Sequence, residues 1–225
     1  MRRIGILGGM GPEATILMQQ RLLEAVVAED DSDHIPLLID MNPQVPSRIA
    51  HLIEGTGGDP APVLAAMARR LETGGAEALA MPCNTAHSYA ASITAAVDIP
   101  LLNMVTLSAD RAGAGKVGIL ASPATRITGV FDRELATVGA TPVWLKDDAP
   151  LLHAIRIIKA NGATVEARNI LRAASEELLA MGAETQLVGC SEFSLIAEAA
   201  SAEAQVIDTL DVLVEAVVSF ATAKG

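Results

Sequence analysis

The feature that most limits the fold of this chain is an apolar run followed by small or polar residues, which recurs in the same order in both halves. RIGILGG in the first half resembles KVGILAS in the second, and Ile4 lies 117 − 4 = 113 positions before Val117. The chain has two cysteines, each just past another apolar run, and Cys83 lies 190 − 83 = 107 positions before Cys190. These similar spacings favour an internal duplication, although any protein of alternating strands and helices shows some such periodicity.

Short strands alternate with helical segments along the whole chain, and this alternation predicts a mainly parallel sheet covered on both faces. The predicted strands are 3–9, 35–42, 76–82, 99–103, 116–122, 141–145, 184–189 and 204–208. The predicted helices are 13–28, 61–73, 84–96, 149–160, 164–181 and 208–223. The Pro- and Gly-rich passage from Pro43 to Pro62 is long enough to be a site loop, and we expect at least one short helix within it.

We therefore predict an α/β fold of two pseudo-symmetric lobes, each a mainly parallel sheet flanked by helices. Lobe 1 is predicted to span residues 1–103 and lobe 2 residues 104–207, and the helix at 208–223 is expected to pack back on lobe 1. The active site is expected in the cleft between the lobes, because sites in parallel α/β sheets form at the carboxyl ends of the strands.

Composition excludes several classes of protein. With 51% apolar residues the chain is too hydrophobic to be disordered, and its net charge of −11, without a basic cluster, argues against nucleic-acid binding. No apolar run reaches the ~18 residues of a membrane helix. The basic, apolar start resembles a signal peptide, but glycines, a proline and a glutamate at positions 8–13 interrupt it. We expect a cytoplasmic protein with reduced thiols, since two cysteines without a CxxC pair do not form a disulfide scaffold.

Four short segments directly follow predicted strands and supply the candidate site. They are Gly8–Gly11, Cys83–Thr85, Ser122–Thr125 and Cys190–Glu192. All four consist mainly of small or polar residues after apolar runs, so all four can line one cleft with a thiol on each side.

Two opposed thiols suggest inversion of a stereocentre. One thiolate would remove a proton from a carbon atom, and the opposite thiol would return a proton to the other face. A thiol titrates near ~8.5, and a helix N-terminus lowers that pKa. Because helices are predicted to start just after Cys83 and Cys190, we expect both thiols to be poised near neutrality. The alternative is that both are inert core residues, since cysteine is commonly buried.

The glycine-rich turn after the first strand has two interpretations. Gly9, Gly11 and Ala14 fit the dinucleotide pattern G-x-G-x-x-G/A, and Asp40 would then bind a ribose. Asp40 lies 40 − 14 = 26 residues beyond Ala14, which is longer than the usual ~20. The other interpretation is a glycine-lined wall that presents backbone N–H groups to a substrate carboxylate, and Met10 of this turn is among our predicted substrate-binding residues.

Several charged or titratable residues near these segments have a functional and a structural interpretation. Arg48 in the long loop can hold a carboxylate through two hydrogen bonds, although loop arginines are usually solvated. Lys159 can bind an anion or simply stabilise the end of its helix. His87 lies one helical turn after Cys83 and can tune that thiol, or serve packing alone. Glu192 is expected to orient the second thiol or to cap a helix.

These residues lie in motifs that resemble the PLP-independent aspartate/glutamate racemases, most closely the aspartate racemase branch. The resemblance extends over essentially the whole chain, and the two cysteine motifs in register are its most specific part. The motifs are GILGGMGPEAT (5–15), VPSRI (45–49), DPAPVL (59–64), MPCNTAH (81–87), AIRIIKANG (154–162) and GCSEF (189–193).

The resemblance implies two pseudo-symmetric α/β lobes with the active site between them, no PLP, no metal and a homodimer. Cys83 and Cys190 match the acid–base cysteines of the family. Arg48 and Lys159 match the cations that recognise the distal carboxylate, and Ser191 matches a position that is commonly Thr. The residues that match those holding the α-carboxylate and amino group are Asn84, Thr85, Ser122 and Thr125. The full predicted substrate-binding set is Met10, Arg48, Asn84, Thr85, Ser122, Thr125, Lys159, Ser191 and Glu192.

The chain departs from the family pattern at three positions. Ser191 keeps the hydroxyl of the usual Thr but loses a methyl group, Phe193 stands where a smaller aliphatic residue is common, and Ser47 stands where Asp often precedes the arginine. These differences bear on substrate preference more than on chemistry. Both cysteines are present, which argues against the related decarboxylases that need a single cysteine.

The sequence thus predicts an enzyme that interconverts L- and D-aspartate by proton transfer between two cysteines, without a cofactor. Glutamate, or acidic amino acids in general, are the alternative substrates. Two other classes stay open at this point: an NAD(P)-binding oxidoreductase, favoured by the glycine pattern, and a non-catalytic binder of a dicarboxylate. We expect a small acidic amino acid as the ligand, with no nucleic-acid or membrane partner.

Overall fold

The computed structural model describes residues 1–223, which divide into two compact lobes. Lobe 1 consists of Met1–Met104 and the segment that begins at Leu210, and lobe 2 consists of Val105–Thr209. The chain therefore passes from lobe 1 into lobe 2 and returns to lobe 1 for its last helix.

Each lobe contains a four-stranded sheet in which all pairings are parallel. The strands of lobe 1 are β1 (Ile4–Gly8), β2 (Leu37–Met41), β3 (Ala78–Ala80) and β4 (Leu101–Leu102). Those of lobe 2 are β5 (Gly115–Leu120), β6 (Ala140–Val143), β7 (Thr185–Val188) and β8 (Gln205–Asp208). The strand orders, β2-β1-β3-β4 and β6-β5-β7-β8, are the same in both lobes. The predicted α/β fold with two pseudo-symmetric lobes is confirmed.

Helices cover the sheets. They are α1 (Pro12–Ala25), α2 (Ala61–Thr73), α3 (Ala90–Thr94), α4 (Met104–Ala112), α5 (Pro123–Thr128), α6 (Val130–Thr137), α7 (Ala149–Asn161), α8 (Val165–Ala180) and α9 (Thr209–Thr222). Shorter 3₁₀ turns occupy Asp31–Asp33, Thr85–Tyr89, Phe193–Leu195 and Ala197–Ala199, and a π-helical turn occupies Ala50–Glu54 of the long loop. Within residues 1–223, none of these helices combines the length and apolar character needed to cross a membrane.

The predicted continuous helix over 84–96 is wrong. In an α-helix the His87 amide would bond to the Cys83 carbonyl, but that carbonyl instead binds the His87 ring. The His87 amide bonds to the Asn84 carbonyl at 3.0 Å, which is the tighter 3₁₀ pattern. We also predicted no helices for α4, α5 and α6, which have nine, six and eight residues. Such short helices repeat the helical period too few times to be recognised in sequence.

The core of each lobe has two apolar clusters that share the strands of one sheet. In lobe 1, Ile4 and Ile6 of β1 belong to one cluster and Leu7 belongs to the other, because successive side chains of a strand point to opposite faces. Helix α9 contributes Leu210 and Leu213 to the first of these clusters. Burial of both faces explains why the first strand is apolar throughout.

Candidate functional site

In lobe 1, strand pairing brings the glycine-rich turn next to Cys83. Strands β1 and β3 are neighbours with Ile6 opposite Ala80, and Gly9 and Cys83 each lie three residues beyond this pair. Parallel strands end at the same edge of their sheet, so the two segments share the carboxyl edge of lobe 1.

The turn needs glycine at position 9. Gly9 has φ +91°, and a Cβ there would lie 2.4 Å from the carbonyl carbon of Asn42. Its N–H donates to the Thr15 hydroxyl at 3.0 Å. That amide therefore serves the turn itself, and the sharp change of direction allows α1 to begin at Pro12.

Asp40, the acidic residue that the dinucleotide interpretation requires, is paired with an arginine in the structure. The Asp40 carboxylate accepts from Arg70 Nη2 at 2.6 Å and from Nε at 3.0 Å. Both bonds end on the same oxygen, Oδ2, and they make Asp40 the partner of an ion pair that joins β2 to α2.

Cys83 lies in the apolar core cluster that also contains Met10, Val45 and Met81. It is buried and forms no disulfide. Asn84 and Thr85 follow it directly and are also buried. The structure thus gathers Met10, Cys83, Asn84 and Thr85, four of the predicted site residues, in the same lobe.

His87 supports the backbone around Cys83, because both nitrogens of its ring bond to main-chain groups. Its Nδ1 lies 2.8 Å from the Cys83 carbonyl oxygen, and its Nε2 accepts from the Met104 N–H at 3.2 Å. A carbonyl only accepts, so Nδ1 carries the proton and the ring is neutral. Burial lowers the pKa of His87 to about 4, which the bond to Cys83 only partly offsets.

Arg48 lies in the long loop of lobe 1, as expected, and the predicted short helix of this loop is present at Ala50–Glu54. The Arg48 Nη1 donates to the carbonyl oxygens of Val45 at 3.3 Å and Pro46 at 2.9 Å. These bonds anchor the guanidinium to its own loop. Ser47, where the family often has Asp, accepts from the Ala50 N–H at 3.2 Å and stabilises the turn.

Lobe 2 repeats this arrangement at its own carboxyl edge. Leu120 of β5 lies opposite Val188 of β7, and Ser122 and Cys190 each follow two residues later. Gly189 binds β5 through its N–H, which donates to the Leu120 carbonyl at 2.9 Å. Strand pairing therefore brings these two predicted site segments together.

Two predicted hydroxyl residues are in contact with each other. The oxygens of Ser122 and Thr125 are 3.0 Å apart, and the Ser122 hydroxyl also accepts from the Thr125 N–H at 3.1 Å. Both side chains are buried. Ser122 is thus the N-cap of α5, with Pro123 in the first turn.

Cys190, Glu192 and Lys159 form a chain of polar contacts. The Cys190 thiol donates to Glu192 Oε2 at 3.0 Å, and the Lys159 ammonium lies 2.5 Å from Glu192 Oε1. Burial acts to raise the pKa of the Glu192 carboxyl, but the charge and hydrogen bond of Lys159, together with the hydrogen bonds from Cys190 and the backbone, outweigh it, so the pKa is lowered. Glu192 is therefore an ionised, buried carboxylate between a cation and a thiol.

Our expectation of a thiol poised near neutrality is wrong for Cys190. Burial raises the pKa of this thiol well above its usual value, and the Glu192 carboxylate raises it further, with Lys159 offsetting only part. The segment after Cys190 is a three-residue 3₁₀ turn at Phe193–Leu195, not the helix N-terminus that was to lower the pKa. Cys190 is therefore a protonated thiol at neutral pH.

The other residues of the GCSEF motif are buried as well. Ser191 is buried, and Phe193 is fully buried in the core cluster that contains Cys190. The larger side chain at position 193 is thus part of the core of lobe 2.

Tyr89 is a further residue beside Cys83 that the sequence motifs did not indicate. It lies six residues after Cys83, and its ring packs against the cluster that holds Cys83 and Met10. The available signal was the single tyrosine of the chain, six residues after a candidate thiol. Residues 1–223 contain no cluster of three or more His, Cys, Asp or Glu side chains that could hold a metal ion.

The chain is similar to known racemases over nearly its full length. A structure of an aspartate racemase from Picrophilus torridus is 26% identical, with a TM-score of 0.88, and the match covers 100% of this chain and 96% of that one. A glutamate racemase from Pseudomonas entomophila (strain L48) is 27% identical over 219 residues, which cover 92% of this chain and 76% of that protein. The fold is also shared with a glutamate racemase of Francisella tularensis, at 16% identity and a TM-score of 0.68, covering 97% and 80% of the two chains.

A sequence model of the Asp/Glu/Hydantoin racemase family matches residues 7–217, which include both cysteine motifs and nearly every strand and helix described above. This match agrees with the resemblance found in the sequence. The chain belongs to the Asp/Glu/Hydantoin racemase family, and its activity class is that of a racemase.

Proposed function

We propose that this protein racemises an acidic amino acid, aspartate first, by moving the α-proton between Cys83 and Cys190 without PLP or a metal ion. The observation that carries the proposal is the matched position of the two thiols. Each cysteine follows the strand next to the first strand of its lobe, and each lies in a core cluster at the carboxyl edge. Similarity to the P. torridus aspartate racemase supports aspartate as the first substrate to test.

The proposed reaction is balanced with respect to protons. One thiolate accepts the proton from Cα, the electron pair of the C–H bond stays on the substrate as a carbanion, and the other thiol donates its proton to the opposite face. After one turnover the product has the inverted configuration and the two sulfur atoms have exchanged protonation states. The scheme requires both sulfur atoms to reach opposite faces of one substrate carbon.

Cys190 fits the role of proton donor in the resting protein. It is protonated at neutral pH, since burial and the Glu192 carboxylate raise the pKa of its thiol. For the opposite direction Cys190 must act as a base, and Lys159, 2.5 Å from Glu192, then stabilises the added negative charge. Glu192 and Lys159 are thus proposed to set the acidity of this thiol together.

The remaining site residues are proposed to hold the substrate. Arg48 would bind the distal carboxylate, and Met10 would line the site beside Cys83, with which it shares a core cluster. Lys159 would share its ammonium between Glu192 and the distal carboxylate. The proposed partners of the α-carboxylate and amino group are Asn84, Thr85, Ser122, Thr125 and Ser191.

Glutamate is the second candidate substrate, because a glutamate racemase is also among the relatives of this chain. The two substrates differ by one methylene group, and a pocket distinguishes such a difference by only about 10–200-fold. Comparison of kcat/KM for L-aspartate and L-glutamate decides between them. A higher kcat/KM for L-glutamate than for L-aspartate would make glutamate the first candidate substrate.

We also propose that the protein is a cytoplasmic homodimer, as the family resemblance implied. Sedimentation velocity of the purified chain would give about twice the monomer mass of 23.3 kDa if this is correct. A single species at the monomer mass over the micromolar range would contradict the dimer.

The decisive experiment follows the α-proton of L-aspartate by NMR in D₂O, with reduced protein and no added PLP. Loss of the α-proton signal together with the appearance of D-aspartate is expected. If neither aspartate nor glutamate exchanges its α-proton, the proposed racemase activity is wrong. Stabilisation of the protein by these ligands without exchange would instead support the dicarboxylate binder.

Single substitutions test the two-base scheme. In Cys83→Ala and in Cys190→Ala we expect racemisation to fall by at least about 10²–10⁴-fold, the usual contribution of one acid–base group. Each variant retains one base, so each is expected to exchange the α-proton of one enantiomer, with opposite preferences. The Cys→Ser variants are the matched controls for side-chain size. Racemisation at the wild-type rate by either Ala variant would refute the scheme.

A further inference from the structure

The hydroxyl of Tyr89 is a buried hydrogen-bond donor that the described residues do not use. Its oxygen is buried and has no hydrogen-bond partner among the described residues. The adjacent Ser88 hydroxyl donates to the Thr85 carbonyl at 2.8 Å. A buried polar group without a partner lowers stability, so its presence next to a candidate site points to a ligand that completes it.

The surroundings of Tyr89 place it in the proposed site of lobe 1. The ring packs against the apolar cluster of Met10, Val45 and Cys83, and its centroid is 6.3 Å from that of the His51 ring. The titratable groups that act on the phenol from nearby elements are Arg48 and Asp59 of the long loop, and Cys83.

The phenol keeps its proton at neutral pH. Burial raises the pKa of Tyr89, and the Asp59 carboxylate raises it further, while Ser88 and Arg48 offset part of the effect. Tyr89 is therefore a donor, and a donor beside a guanidinium is suited to a carboxylate. Asp59 already accepts from the Ala61 N–H at 2.9 Å at the start of α2.

We propose that Tyr89 is a specificity-determining residue whose hydroxyl donates a hydrogen bond to the distal carboxylate of the substrate, beside Arg48. This inference rests on the proposed function, because it assumes an acidic amino acid in the site. Arg48 is anchored to its loop through Val45 and Pro46, so the guanidinium is held in the neighbourhood of the phenol. Two donors from different segments then recognise one carboxylate.

The first test is Tyr89→Phe, which removes the hydroxyl and keeps the ring. We expect KM for aspartate to rise about tenfold to a hundredfold, as for loss of a hydrogen bond to a charged group, with kcat within about threefold. The inhibition constant of succinate, which has two carboxylates and no amino group, should rise by the same factor. The melting temperature should not fall, because the removed hydroxyl has no partner in the protein. Unchanged KM, or a lower melting temperature with equal loss of kcat, would overturn the inference.

The second test does not depend on activity and uses the fact that the chain has one tyrosine. Incorporation of 3-fluorotyrosine gives a single ¹⁹F resonance, which is expected to shift on titration with succinate and to stay in place with alanine. Arg48→Gln should weaken the succinate titration, since it removes the partner donor. A resonance that does not move at saturating succinate, or that moves equally with alanine, would overturn the inference.

The two tests separate this inference from the proposed function. If the wild-type protein racemises aspartate and Tyr89→Phe has the wild-type KM, only the role of Tyr89 is wrong. If the wild-type protein racemises nothing, the proposed function is wrong, and the ¹⁹F titration alone decides whether Tyr89 recognises a dicarboxylate.

Discussion

Replacement of Lys159 by methionine is expected to make the stability of lobe 2 depend on pH in a new way. In the wild-type protein the Lys159 ammonium lies 2.5 Å from Glu192, whose side chain is only 9% exposed. Methionine keeps the length of the apolar stem but removes the charge. The buried carboxylate would then keep the Cys190 thiol as a donor and lose its cation.

The exposure of the pair sets the magnitude. Breaking a fully buried ion pair by removing one partner costs about 3–5 kcal/mol. The Lys159 side chain is 39% exposed, so solvent screens part of its charge. We therefore expect a loss of about 1–2 kcal/mol at neutral pH, between the values for surface and buried pairs.

The sign of the pH dependence follows from the pKa of Glu192. In the wild-type protein burial acts to raise this pKa, but the opposing effect of Lys159 is part of what brings it below the usual 4.5. The ion pair therefore stabilises the folded protein at pH values above 4.5, and this stability is lost as pH falls through the lowered pKa. Without Lys159, burial meets less opposition and the pKa rises. The free energy of unfolding of the variant then falls as pH increases through the raised pKa. The deficit should be full above the raised pKa of the variant, should shrink as pH falls, and should disappear once pH is below the lowered pKa of the wild-type carboxyl.

Tryptophan fluorescence during urea unfolding measures the stability of lobe 2, because the single tryptophan, Trp144, lies in that lobe. Lys116→Met is the matched control: Lys116 is an exposed lysine of the same lobe whose ammonium lies 3.4 Å from the Met181 carbonyl. Adding Glu192→Gln to the Lys159 variant should remove the pH dependence. A deficit that is equal at pH 4 and pH 7, or equal in the control, would refute the reasoning.

Two further predictions concern the surroundings of the second thiol. Glu192→Gln should lower the pKa of Cys190, because the carboxylate of the wild-type protein raises it. The midpoint pH of Cys190 alkylation by iodoacetamide, followed by mass spectrometry of the Cys190 peptide, should therefore shift downwards. An unchanged or higher midpoint pH would contradict this. Gly189→Ala should reduce the free energy of unfolding by about 1–3 kcal/mol, since a Cβ there would lie 2.7 Å from the Phe131 ring. The control is Gly58→Ala, which should be nearly neutral because the nearest atom to its Cβ would be 3.8 Å away. Equal urea midpoints for the two variants would contradict this prediction.

Much of the fold was predictable because strands, turns and helix starts depend on neighbouring residues. The apolar run at β1, the glycines after it and Pro12 at the start of α1 specify a strand, a sharp turn and a helix in that order. KVGILAS resembles RIGILGG and is also followed by a proline, Pro123, and this similarity indicated the second lobe. Because parallel strands end at one edge, the sequence also predicted that Gly9 and Cys83 would share an edge of lobe 1.

Short or irregular segments could not be predicted in the same way. The 3₁₀ turn after Cys83 forms because the His87 ring, and not the His87 amide, binds the Cys83 carbonyl. Hydrophobic periodicity predicts a regular helix only where every backbone carbonyl is free to accept the bond of the helix. It does not show that a side chain competes for one of these carbonyls.

The sequence by itself determined the order of the strands, the repeated lobe and the two thiols at equivalent strand ends, since these follow from local steric preferences and hydrophobic periodicity. Only the tertiary structure decided which charges meet. Lys159 and Glu192 are 192 − 159 = 33 residues apart, and packing of α7 in lobe 2 brings them to 2.5 Å. Burial and that contact then set the pKa of the Cys190 thiol. Such effects depend on the dielectric and charges around a group in three dimensions, to which distant parts of the chain contribute.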